Sequence, residues 1–193
     1  MSFGIHLLAK GLAKSEMEVL RTLQNYVDEL DGFIERSKED FLIIQIDVRI
    51  RLQYLSLPLG NLDVFDEMLE ERSFRLAMID YNEKIEHAIE RFSTAVRDSL
   101  HDVQKGQEAT SALWHYIGWL GQSGDRLPGN LDAVCNAMLA NIEGWNKAFG
   151  KLYKRGTDLD AALFDLGMAA VEMQRRVGVA SRKGVVRGTI IDQ

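Results

Sequence analysis

Proline and cysteine are nearly absent from this chain: Pro58, Pro128 and Cys135 are the whole complement. A single thiol excludes an intramolecular disulfide and fits a reducing compartment, so the sequence reads as cytoplasmic. Between Gly60 and Gly106 there is neither proline nor glycine, and nothing in that stretch breaks a helix by backbone chemistry. No apolar run approaches the roughly 18 to 20 residues a helix needs to cross a bilayer. The N-terminus, MSFGIHLLAKGLAKS, has no basic leader and no small-residue cleavage site, so a secretory signal is not expected. The glycine-rich nucleotide fingerprints and the nucleophile elbow are also missing. That makes an enzyme the least supported class and implies no cofactor.

Positive charge is the minority. The net charge is −6, from 23 Lys and Arg against 29 Asp and Glu. This argues against a general nucleic-acid binder, because phosphate affinity rests on clustered cations. The charge is uneven: residues 60–100 hold ten acidic and five basic side chains, whereas 144–193 hold five acidic and nine basic. Either the C-terminal helices lie against the acidic one, or a basic end is offered to an acidic partner or to anionic lipid.

What the chain does have is periodicity. Leu20, Leu23, Val27, Leu30, Ile34, Phe41, Ile44, Val48 and Leu55 follow steps of three and four, with Ser37 and Arg51 at the two missing seam positions. That predicts one helix from Ser15 to Leu57, with Gly32 and Ser37–Asp40 as weak points. A second apolar line through Ile43, Ile46, Ile50 and Leu57 predicts that this helix packs between neighbours. Leu57-Pro58-Leu59-Gly60 ends it.

Asn61 can cap the next helix. Its seam starts as Leu62, Phe65, Leu69, Leu76 and Ile79, then restarts out of step as Ile85, Ile89, Phe92, Val96, Val103, Leu113, Ile117 and Leu120. The phase slip predicts a kink or break between Ser73 and Asn82. The segment from Gly121 to Asn130 is a loop. Leu131, Cys135, Met138, Ile142, Trp145, Phe149 and Leu152 form a further seam, Gly156-Thr157-Asp158 punctuates, and Leu159 to Val177 form the last. The expected fold is all-α: an elongated antiparallel bundle of long helices, about three thick. It fills a single domain over 1–177, with 178–193 as a flexible basic tail or the start of a linker.

Two constellations suggest chemistry and fail on spacing. Glu83, Glu86, His87 and Glu90 lack the Glu-x-x-His step of di-metal bundles, and His87 falls opposite the core seam. His87, His101 and His115 recur every fourteen residues, about 21 Å along a helix, too far apart to share a metal. Cys135 lies in a seam, where a thiol is a small hydrophobe and not a nucleophile.

Two segments suggest binding. Around Trp114, Tyr116 and Trp119 the apolar residues go almost completely round the helix. Such aromatics either lie buried under the following loop or anchor a partner protein or a second copy. At the N-terminus, Phe3, Leu7, Leu8 and Leu12 share one side of a helix, with Lys10 and Lys14 among the other positions. This is either the first turns of the bundle or an amphipathic segment for an anionic membrane, helped by Arg182, Lys183 and Arg187.

The stretches KSEMEVLRTLQNYVDEL, ERSKEDFLIIQIDVRIRL and IEHAIERFSTAVRDSL resemble uncharacterised helical-bundle proteins of filamentous fungi, over Leu12 to about Val179. The resemblance implies a bundle and carries no activity. The sequence therefore reads as a non-enzymatic interaction or scaffold module binding a partner helix or itself. The alternative is a peripheral membrane-binding bundle.

Overall fold

A computed structural model describes the backbone at 1–122 and 129–191 and the side chains at 1–122 and 131–183. The elements in chain order are α1 (Ser2–Ala9), α2 (Glu16–Gly60), α3 (Leu62–Met68), α4 (Arg72–Gln122) and α5 (Gly129–Ile191), with no strand among the described residues. The protein is an all-α helical bundle. Its contacts group into two compact units, one made of 1–40 with 99–156 and the other of 41–98 with 157–193. The Gly121–Asn130 loop lies mostly outside the described residues.

Each long helix carries a seam with a seven-residue repeat. On α5 the buried positions run Leu131, Cys135, Met138, Ile142, Trp145, Phe149, Leu152, Gly156, Leu159, Leu163, Leu166, Ala170, Met173 and Val177, always four or three apart. The two C-terminal helices expected from the sequence are therefore one. Gly156 does not punctuate; it occupies a seam position, and its cost of about 1 kcal/mol as a helical glycine is outweighed by the burial on either side. The helix also continues beyond Val177 to Ile191, with the Ser181 hydroxyl donating to the Val177 carbonyl at 2.9 Å. No proline interrupts 178–191, and the glycines there weaken a helix without breaking it.

Two other boundaries move. α2 passes Leu57 and includes Pro58 in its last turn, where the missing N–H forfeits one hydrogen bond and little helix is left to disturb, before ending at Gly60. Asn61 does not cap α3 with its side chain: its amide donates backwards to the Leu57 carbonyl at 3.0 Å, satisfying an orphan acceptor of α2. The break expected between Ser73 and Asn82 falls earlier, at 69–71. Arg75 Nη1 donates to the carbonyls of Leu69 (2.6 Å) and Glu70 (2.7 Å), closing the interrupted turn. Counted from there, the α4 seam is Met78, Asn82, Ile85, Ile89, Phe92, Val96, Ser99, Val103, Gly106, Thr110, Leu113, Ile117 and Leu120, in unbroken phase. Leu76 and Ile79 fall outside that phase and are exposed.

In the unit formed by 1–40 and 99–156, α4 runs antiparallel to α5: Gly106 lies against Phe149, and the Thr110 hydroxyl is 2.8 Å from Asn146 Oδ1. α2 runs parallel to α5, through the Phe33–Phe149 ring contact and the Trp145 indole, which donates to Asp31 Oδ1 at 2.7 Å. α1 is pinned by the fully buried Ile5 and ends in a Schellman turn. Leu12 N–H donates to the Leu7 carbonyl and Gly11 N–H to that of Leu8, with Gly11 at φ +61. In the unit formed by 41–98 and 157–193, the core gathers Phe41, Val48, Leu55, Phe65, Leu69, Ile85, Leu163, Leu166 and Met173. Asn82 is buried there with its Oδ1 lacking a partner among the described residues, while its amide donates to Glu86.

The glycines of the first unit give opposite expectations. A Cβ at Gly106 would sit 2.6 Å from Phe149 Cζ, whereas at Gly150 it would meet nothing within 4 Å. Gly106→Ala should therefore destabilise by about 1–3 kcal/mol through overpacking, despite the better helix propensity of alanine. Gly150→Ala should stabilise by up to about 1 kcal/mol. Thermal unfolding followed by circular dichroism checks both signs.

Candidate functional site

Among the described residues no group of three His, Cys, Asp or Glu side chains could hold a metal ion. Cys135 is buried, and burial together with the nearby Asp132 carboxylate pushes its thiol up. It stays protonated at neutral pH and is a poor nucleophile. The densest ionic cluster lies between α3 and α5. Arg176 Nη1 donates to both oxygens of Asp66 at 2.9 Å and its Nε to Glu172. Hydrogen bonds from Arg175 and then Arg176 hold the Glu172 carboxyl down at about 2. Arg176 is half-buried but the carboxylates it meets are open to solvent, so the cluster ties α3 to α5 with little net energy.

The structure brings together the two segments singled out in the sequence. His6 Nδ1 of α1 is 2.9 Å from the Tyr116 hydroxyl of α4, and the Tyr116 ring lies 6.0 Å from that of Trp119. Tyr116 is half-buried beneath this contact, and burial raises its phenol. Trp114 and Trp119 are exposed on either side. In α1 the inward residue is Ile5, which the sequence reading did not single out. Phe3 and Leu12 are exposed, Leu7 and Leu8 half-buried, and Lys10 and Lys14 exposed. Arg182 and Lys183 are exposed as well, while the Arg187 side chain lies outside the described residues.

The second apolar line of α2 is not packed between neighbours within its own unit. Ile43, Ile46 and Ile50 are 63, 51 and 46% exposed. They lie on the side of the helix opposite Ile44, Val48 and Leu55, which are buried. At 100° per residue the two sets are close to half a turn apart. Burying one stripe does nothing to cover the other.

The same unit holds a groove that periodicity does not reveal. Between the end of α2, α3 and the start of α4, a cavity of about 660 Å³ is lined by apolar and uncharged side chains down to Met173 of α5. Its aromatic walls are paired edge to face, Phe65 on Phe74 and Tyr54 on Tyr81. The local clue was the concentration of Met68, Phe74 and Tyr81 around the α3–α4 break, at positions outside the α4 seam.

Cys135 provides a direct check on this description. Its thiol should stay unmodified by a neutral-pH disulfide reagent in the folded protein and react stoichiometrically once denatured, read by absorbance or mass. In comparisons with family models, curated proteins and solved structures, none matches this chain.

Proposed function

We infer that this protein is a non-enzymatic interaction module that recognises a partner helix or a second copy of itself through the outer face of α2. One observation carries the reading: Ile43, Ile46 and Ile50 form a solvent-exposed aliphatic line at helical spacing, opposite the buried Ile44, Val48 and Leu55. Contiguous apolar surface of this kind is uncommon on isolated soluble proteins and typical of binding faces. A helix partner suits it, because residues three and four apart offer the ridges into which another helix packs.

The test is the double substitution Ile46→Lys/Ile50→Lys, which leaves the buried seam untouched. Each isoleucine covered in a complex contributes about 1.5–3 kcal/mol, so the pair should weaken association of order a hundredfold or more. Light scattering at tens of micromolar should show a self-associating wild type and a monomeric variant. A monomeric wild type removes the self-association version. Unchanged co-purification of cellular partners by the variant removes the surface altogether. Loss of association on Trp114→Ser/Trp119→Ser instead would move the interface to the aromatic end.

A second reading rests on a different observation. Phe3 and Leu12 stand exposed near the lysines Lys10 and Lys14, an arrangement that suits a bilayer interface. No helix is long and apolar enough to cross a membrane among the described residues. On this reading the protein cosediments with anionic liposomes at low salt, and Phe3→Ser/Leu12→Ser abolishes it. Equal recovery in the supernatant with and without liposomes rules it out.

A further inference from the structure

We propose that the groove between α2, α3 and α4 is a binding site for an uncharged amphiphile: a single aliphatic chain with a small hydroxyl-type head. The groove reaches from surface to core. Tyr54, Leu57 and Val64 at its rim are 63, 64 and 57% exposed, whereas Leu55, Phe65 and Met173 at its floor are each 1% exposed. Its volume of about 660 Å³ falls in the roughly 300–1,000 Å³ range of small-ligand sites.

Asp66 and Glu67 of α3, with Glu70 just beyond its end, line a polar cleft shared with Arg75, Arg175 and Arg176, and Asp66 is clamped there by Arg176; Asp63 lines neither that cleft nor the groove. The groove side presents Asn61, Val64, Phe65 and Met68, and no side chain in the groove lining is a carboxylate, an ammonium or a guanidinium. An anionic head entering the groove would lose its hydration with no cation in the lining to meet it, since the nearby Arg51 is already paired with Asp47. A cationic head would find no carboxylate in the lining. An uncharged head loses far less, and the Tyr54 and Tyr81 hydroxyls and the Asn61 amide are the polar groups at hand. Burial raises the Tyr81 phenol, so it remains a protonated donor at neutral pH.

Methionines suit a chain of unspecified detail. Met68, Met78 and Met173 line three sides, and their unbranched thioethers adapt to an irregular guest without a large strain penalty. This site is separate from the Ile43–Ile50 stripe, and its occupancy does not require that the stripe bind anything.

The experiment is a titration of the full chain, labelled at its methionine methyl groups, with 1-decanol, decanoate and decylamine. The expected result is saturable shifts of the Met68, Met78 and Met173 methyl resonances by decanol, with at least tenfold weaker response to both charged analogues. Val64→Asp places a charge at an exposed rim position and should abolish the decanol shifts while helical circular dichroism stays unchanged. Ile46→Lys/Ile50→Lys should leave them intact. Absence of saturable shifts with decanol overturns the proposal, as does equal binding of decanoate or decylamine, or binding retained in Val64→Asp. Shifts of the same three methyls that follow protein concentration without ligand would assign the groove to a second copy and overturn it too.

Discussion

The close approach of α4 to α5 at Gly106 sets the geometry of the first unit. Phe149, itself a seam residue of α5, fills the space where any other residue of α4 would carry a Cβ. One turn further on, the same pairing places Thr110 beside Asn146, and towards α2 the α5 helix holds Phe149 against Phe33 and Trp145 against Asp31. These directional contacts sit next to non-directional ones such as Ile142 and Leu113. Greasy seams alone tolerate sliding by a turn; a glycine–phenylalanine contact flanked by two side-chain hydrogen bonds between helices does not.

The second unit is less strictly divided between inside and outside. Among the described residues its one buried polar seam residue, Asn82, satisfies its amide on its own helix and makes no bond across to another helix that would fix register. Large apolar side chains stand exposed on α2, and others on α5 at Phe164, Met168 and Val171 and on α4 at Leu76 and Ile79. The short α3 is bounded by the break at Asn61 and the turn at 69–71. Its Phe65 and Leu69 go inwards, and its Val64 and Met68 are left at a rim. A groove beside a twice-broken chain follows from having too few residues in α3 to fill the space between two long helices.

The all-α class and the individual seams were legible in the sequence because they depend on spacing alone. The boundaries were less so. Gly156 looks like punctuation next to Thr157 and Asp158, yet Leu152, Gly156 and Leu159 keep the four–three step that a helix break would have disturbed. Pro58 was read as a stop, although proline in a final turn forfeits only one hydrogen bond. Asn61 was read as facing forwards when its amide bonds backwards. The exposed face of α2 was visible as a second line, but periodicity reports that a face is apolar and is silent on whether anything covers it. The groove lay further out of reach, since Tyr54, Val64, Met78 and Met173 come from four helices and meet only in three dimensions.

The three tryptophans are unequally placed. Trp114, Trp119 and Trp145 all belong to the unit built from 1–40 and 99–156, and the other unit has none. Two of the indoles are exposed and one is buried with its N–H bound to Asp31. Intrinsic tryptophan emission is therefore a private signal of one half of the molecule, mixing a shielded and a quencher-accessible population. Far-ultraviolet dichroism sums over both halves. The separation or coincidence of those two optical melting curves is a built-in gauge of whether the units lose their structure together.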